Sequence, residues 1–355
     1  MSLLDHTTAR DAEAAENWGN TAVPTDVAKP GPAVEDVSSA RQPLWIVGLA
    51  AAIVWIVAAI FTQRWPDLDD WERTDLLAEL MAAVGALALV AAGVERVIGR
   101  PIQRLRRFGP WLVAIPLGLA LWEILTAKLA ILPRPFFAPP QGLLEVFTDD
   151  LGRLADSVWH SLRLLAGGYA IGASTGFVAG VAIGWSRLVG YWAHPVLRLL
   201  GPLPATAWLP LAFFMFPTSY SASTFLIALA TWFPVTVLTW SGVAGVNKAY
   251  YDVARTLGAN SRFLVLKVAV PAALPSVFIG LFMGLGASFS VLVVAEMMGV
   301  KSGLGWYLQW AQGWAAYGNM YAALLVMALM CSGLITALFR VRDRVLSWQK
   351  GIVQW

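Results

Sequence analysis

Residues 251–275 read YDVARTLGANSRFLVLKVAVPAALP. Asp252, Arg255, Arg262 and Lys267 stand here between two long apolar runs, in a chain only 13% charged overall. Charges at that density cannot lie in hydrocarbon, so the segment is expected to connect membrane spans through water. It is also patterned. Val253, Ala254 and Leu257 share a helical face, Gly258 interrupts, and Phe263, Leu264 and Lys267 resume the helical period until Pro271 stops it. A helix–glycine–helix connection of this kind predicts a docking surface for a soluble partner.

Working outward, the chain of 355 residues is 58% hydrophobic with a mean hydropathy of +0.64. A globular protein of this length has no use for so much apolar surface, and the economical solvent for it is a bilayer. A helix needs roughly 20 apolar residues to cross about 30 Å of hydrocarbon. Runs of that kind occur at Leu44–Phe61, Leu76–Val94, Trp111–Leu132, Leu162–Trp185, Val196–Phe216, Ser223–Val246, Ser276–Val294 and Tyr321–Phe339. The fifth is the least regular, because Pro202, Pro204 and Pro210 interrupt it. The reading is an all-α polytopic membrane protein with about eight transmembrane helices.

Charge gives an expected orientation. Lys and Arg near span ends favour the cytoplasmic side. Arg96, Arg100, Arg104, Arg106 and Arg107 crowd the link after the second run, Arg340, Arg342, Arg344 and Lys350 follow the last, and Lys248, Arg255, Arg262 and Lys267 mark the quoted loop. The links at 62–75 and 133–161 are acidic. Eight spans with both termini cytoplasmic put all three of these basic clusters inside and both acidic links outside; seven spans break that pattern. In the outer link, Leu143, Leu144, Phe147, Leu151 and Leu154 recur at helical spacing, which predicts one amphipathic helix over 143–158 lying on the outer membrane surface, with Asp149, Asp150 and Asp156 in water.

The expected organisation is a disordered cytoplasmic tail at 1–43, an accessory two-helix hairpin at 44–98, a basic cytoplasmic linker at 99–110, a six-span domain at 111–345 and a cytoplasmic tail at 346–355. Residues 1–43 are rich in Ala, Pro, Asp and Glu and hold no apolar core of the signal-peptide kind. The single Cys331 cannot form an intrachain disulfide, and His6, His160 and His194 are far apart, so no metal site is expected.

The quoted loop resembles the cytoplasmic signature of binding-protein-dependent ABC importer permeases, Glu-Ala-Ala, three residues, Gly, nine residues, Ile-x-Leu-Pro. Here it stands as Asp252-Val253-Ala254, Gly258, then Val268-Ala269-Val270-Pro271. Further matches are Gly201-Pro202-Leu203-Pro204 with Trp208-Leu209-Pro210-Leu211, Pro139-Pro140, and Ala295-Glu296-Met297-Met298-Gly299 followed by Ser302-Gly303-Leu304-Gly305. These are similar to the branch that imports sulfonates, nitrate, taurine and bicarbonate. The resemblance covers about two-thirds of the chain. It implies a type I importer six-helix core in the cytoplasmic (inner) membrane. It also implies two ABC ATPase subunits, an external solute-binding protein and a second permease copy forming a homodimer. Lipid is the surrounding partner, and no nucleic acid is expected. Asp252, Val253, Ala254, Arg255, Gly258, Arg262 and Pro271 would then contact the ATPase.

Candidates for the pathway follow from physical chemistry. Pro202, Pro204 and Pro210 remove backbone donors, and the freed carbonyls must face protein or a water-filled cavity; a broken span can line a pathway or simply kink for packing. Thr231, Thr236, Ser288 and Ser290 can offer hydroxyls to a polar solute or bond back to their own helices. Glu296 closes an apolar span, as a gate or as a cap for backbone groups of Gly303–Gly305. Gly168, Gly172, Gly176, Gly180 and Gly184 recur every four residues and predict close helix packing, within the core or across a dimer.

No G-x-x-x-x-G-K-[ST] phosphate loop is present, so ATP hydrolysis is expected in a separate subunit, and no cofactor is expected in this chain. Two rivals are weighed. An ion-gradient-driven secondary transporter would use intramembrane carboxylates, for which Glu123 and Glu296 are the main candidates. A membrane-embedded enzyme would need a nucleophile–base or metal constellation, and none is visible.

Overall fold

Inside hydrocarbon every backbone N–H and C=O must be satisfied within the chain, and an uninterrupted apolar run of spanning length does so only as a helix. The computed structural model describes residues 45–98, 106, 108–133 and 135–349, without the side chains of 94–98 and 349. The tail expected over 1–43 lies outside these residues, as do most of the linker 99–110 and of the tail 346–355. In chain order the helices are α1 (Ile46–Arg64), α2 (Thr74–Ile98), α3 (Gly109–Glu123, running on as a π-helical turn Ile124–Lys128), α4 (Pro140–Asp149) and α5 (Leu151–Trp185). Then come α6 (Arg187–Leu200), α7 (Leu209–Met215), α8 (Ser219–Ala244), α9 (Lys248–Thr256), α10 (Val270–Met298), α11 (Leu304–Gly313) and α12 (Tyr317–Val345). No strand occurs among the described residues.

Seven of the eight apolar runs form straight helices long and apolar enough to cross a membrane. The fifth run is broken. α6 and the segment Ala205–Met215 meet at 86°. The proline-interrupted run nevertheless follows α8 along much of its length. His194 stacks near Trp240 with ring centroids 4.3 Å apart, and Phe216 lies 5.0 Å from Phe225. Between them, a Cβ on Gly201 would meet the ring of Phe233 at 2.9 Å. From Trp240 to Phe225 is fifteen residues, about 22 Å at 1.5 Å per residue. A segment that tracks a transmembrane helix over that distance is a crossing, bent in the middle, and the count becomes eight.

The glycine row packs inside the chain. A Cβ at Gly172 would stand 2.3 Å from the Ala228 carbonyl, one at Gly176 2.8 Å from that of Trp232, and one at Gly180 2.6 Å from Thr239 Cβ. Only hydrogen fits there, so α5 and α8 approach backbone to backbone. α10 packs on α8 beside α5, where Gly280 and Gly284 meet Val235 and Thr231. The main core lies at this junction and gathers Leu164, Leu165, Leu226, Ile227, Leu285 and Leu292.

Two expectations are corrected. Pro271 does not stop the helix: from Ser261 to Met298 the chain is one continuous apolar helix. The turns just before it, Leu264–Ala269, are π-helical. Such a widened turn accommodates the donor that proline lacks. The stretch 143–158 is not one surface helix either. It breaks at Asp150, and Leu143, Val146 and Leu154 are buried against protein. Asp150 accepts hydrogen bonds from Tyr307 (3.2 Å) and Asn319 (3.0 Å), which turns the chain there instead of letting it lie on lipid.

Candidate functional site

The loop between α8 and α10 is built from local signals. Asn247 caps α9 by accepting the Ala249 N–H at 3.0 Å. Gly258 takes φ +81°, a left-handed conformation that glycine adopts without a Cβ penalty. The Gly258 and Ala259 amides then bond back to the carbonyls of Arg255 (2.9 Å) and Ala254 (3.0 Å) and close the helix end. Asn260 caps the next turn through the Phe263 N–H at 2.9 Å. The result is an elbow that lets α9 project, anchored through Tyr251, which packs on Val243, Ala269 and Ala273 and meets the Trp185 ring edge-on at 5.9 Å.

No residue of α9 is buried. Tyr250, Val253 and Leu257, spaced along one helix flank, are 61%, 62% and 83% exposed. Asp252 and Arg255 pair across one turn at 3.5 Å. Apolar side chains left exposed along one flank of a helix mark a contact surface. Arg262 is exposed beyond the elbow, whereas Pro271 stands in the first turn of α10. The structure therefore gathers Asp252, Val253, Ala254, Arg255, Gly258 and Arg262 on one projecting element and leaves Pro271 off it.

The hydroxyls proposed for a pathway divide. Thr231, Thr236 and Ser288 are wholly buried in helix contacts. Thr231 and Ser288 donate to the carbonyls of Ile227 and Leu285, both at 2.9 Å. Thr231 and Ser288 thus take the second of the two roles open to them in the sequence, bonding back to their own helices. Ser290 is exposed, and donates to Gly286 O at 3.3 Å. Pro202 and Pro204 lie in the break between α6 and the segment Ala205–Met215, and Pro210 stands in the first turn of α7.

Glu296 is a cap. Its carboxylate accepts the Gly305 N–H at 2.7 Å and the Ser161 hydroxyl at 2.6 Å, while Ser161 accepts the Leu304 N–H at 2.8 Å. The Gly305 amide at the start of α11 is thereby satisfied by the Glu296 carboxylate, and the Leu304 amide by Ser161, which the same carboxylate holds in place. Gly303 makes room: its φ is +98°, and a Cβ there would sit 2.2 Å from the Glu296 carboxylate.

A second buried cluster was not found from the sequence. Lys128 pairs with Asp67 (2.9 Å) and Glu123 (3.2 Å), donates to Thr62 O at 2.9 Å, and also donates to Trp65 O. Glu123 further accepts from Thr62 (2.7 Å) and Gln141 (3.1 Å). The Lys128 head thus caps the C-terminal carbonyls of α1 and neutralises the carboxylates around it. Arg73 adds a bond to Asp149 at 3.1 Å, holding that exposed carboxyl below the usual carboxylate range. Glu123, a possible ion-coupling group by sequence, is occupied in tying α1 to α3 and α4.

The sequence profile of the binding-protein-dependent transport system inner membrane components matches residues 172–349, from within α5 to the end of the described chain. The chain is similar to the nitrate import permease protein NrtB of Synechococcus elongatus, 28% identical over 257 residues, covering 69% of this chain and 89% of that protein. It is 30% identical over 241 residues to the bicarbonate transport system permease protein CmpB of the same organism, covering 65% and 84%. A Bacillus subtilis protein named for aliphatic sulfonates transport, SsuC, is 29% identical over 277 residues, covering 76% and 98%.

Proposed function

This chain belongs to the family of binding-protein-dependent transport system inner membrane components, and we propose from that premise that it conducts a small oxyanion inward. It is a multi-pass permease subunit of an ATP-driven ABC importer and carries no catalytic activity of its own. ATPase subunits and a solute-binding protein complete such an importer. Nitrate, bicarbonate and sulfonates are named for its relatives, and each is a compact oxyanion. We place both termini and the α9 elbow in the cytoplasm of an inner-membrane protein, with two copies of this chain forming the pathway.

The observation that carries the mechanism is the bare apolar flank of α9, held out by Gly258 at the end of two spans. On this reading an ATPase seats α9 in a groove. Closure of two ATPases pushes the elbow, and the stiff helix from Ser261 to Met298 transmits the movement to the core. Each ATPase meets one copy of the permease.

The substrate class is tested on the assembled importer. The complex is purified through this chain, the co-purifying binding protein is identified, and its affinity for nitrate, bicarbonate and methanesulfonate is measured by calorimetry. Tight binding of one of them is the expected result. A binding protein that takes only uncharged solutes overturns the oxyanion assignment.

A further inference from the structure

The break in the fifth crossing leaves a space beside it. Between α6 and α8 lies a cavity of about 550 Å³, with Tyr191, His194, Arg198, Phe233 and Trp240 on its walls. Sites for small molecules typically measure roughly 300–1,000 Å³, with apolar walls and a few well-placed polar groups. Arg198 is the permanently charged group on this wall.

Its depth matters. Gly201 packs against Phe233, close to the midpoint of α8, and Arg198 lies three residues before Gly201, about 5 Å along the helix. An arginine so near the middle of a bilayer is costly unless it meets water, a counter-charge or a ligand. Arg198 is exposed and forms no ion pair with any described residue. Its backbone carbonyl is freed as well, because the residue four ahead is Pro202 and has no N–H to give. Both groups require the cavity to be filled by something polar.

We propose that this cavity is a staging site for the transported oxyanion, and that the Arg198 guanidinium takes its charge. This rests on the oxyanion reading above. The planar guanidinium offers paired N–H donors that match two oxygens of a nitrate, carbonate or sulfonate. The rings of Phe233 and Trp240 supply the apolar side of the cavity, while exposed Arg198 and Tyr191 stay open to an incoming anion. Arg198 stands one turn before the bend, on the wall of the cavity beside it.

An anionic lipid headgroup carries the same chemistry, and the test separates the two sources. The complete importer is placed in phosphatidylcholine nanodiscs with trifluoromethanesulfonate as the oxyanion probe, and contact is read by ¹⁹F saturation transfer. Arg198→Gln should weaken probe binding about tenfold, Arg198→Lys should retain most of it, and Arg344→Gln in the exposed last turn of α12 should leave it unchanged. ATPase association, checked by size-exclusion chromatography, should be intact in all three. Equal binding by wild type and Arg198→Gln overturns the site. Loss of the signal on adding phosphatidylglycerol assigns the cavity to lipid and overturns the solute role. A binding protein that carries no oxyanion defeats the substrate reading alone, since the probe result at Arg198 is read without it.

Discussion

The Lys128 ammonium lies 2.9 Å from the Asp67 carboxylate, with the lysine side chain fully buried. That pair joins the turn after α1 to the end of α3, so the front hairpin is locked to the six-span part at its 65–74 end. Lys128→Met should lower stability by about 3–5 kcal/mol, the usual cost of stranding buried partner charges. Replacing Asp67 and Glu123 by Asn and Gln in the same variant should restore part of it. Thermal unfolding followed by tryptophan fluorescence checks both, and an unchanged midpoint in Lys128→Met would show that the cluster bears no load. Removing residues 1–99 should likewise lower the yield of folded protein, although six spans remain.

Gly172 and Gly167 lie five residues apart on α5 with opposite surroundings. A Cβ at Gly172 strikes the Ala228 carbonyl, while one at Gly167 meets nothing within 4 Å. Gly172→Ala should therefore destabilise the protein by roughly 1–3 kcal/mol through overpacking. Gly167→Ala should be neutral or slightly stabilising, since alanine is the better helix former. Similar melting points for the two would contradict the close approach of α5 and α8.

Glu296→Ala removes an acceptor from the Gly305 amide and a partner from Ser161. A loss of about 2–4 kcal/mol is expected, as for a broken buried network. Protease sensitivity of the 299–316 region should rise in parallel, because α11 loses its cap. Transport failing at normal stability would instead favour a gate.

Gly258→Trp tests the elbow. A Cβ there meets nothing within 4 Å, so the substitution strains φ without a clash and should permit insertion. It places a large ring beside the bare flank of α9, and substrate-stimulated ATP hydrolysis by the assembled importer should be abolished. Normal stimulation removes the ATPase-docking assignment.

Sidedness is read by single cysteines in a Cys331→Ser background. Asp156 is exposed on the side where the acidic link is expected to face outward, and Arg255 is exposed on α9. Asp156→Cys should react with a membrane-impermeant maleimide in intact cells made permeable only at any outer membrane. Arg255→Cys should react only after the inner membrane is opened. The reverse pattern inverts the orientation.

The helical membrane class, seven straight crossings and the elbow at Gly258 were all legible in the sequence. Their causes are local: apolar length forces a helix in lipid, and a glycine between capped turns forces the bend. The glycine row was legible as packing, but only the tertiary structure showed that its partner is α8 of the same chain. The role of Glu296 as a cap was visible from the nearby glycines, whereas its partner Ser161 lies 135 residues away. Glu123 was legible as an intramembrane carboxylate, but its pairing with Lys128 was not. Five residues apart, they fall on different faces of an α-helix, where pairs form at three or four. The π-helical turn after Glu123, with the Leu129 N–H bonding to Ile124 O at 2.9 Å, rotates them onto one side. The bend of the fifth span belongs to both levels. Prolines announce a break, but only packing against Phe233 and Trp240 decides its angle, and with it the cavity that Arg198 faces.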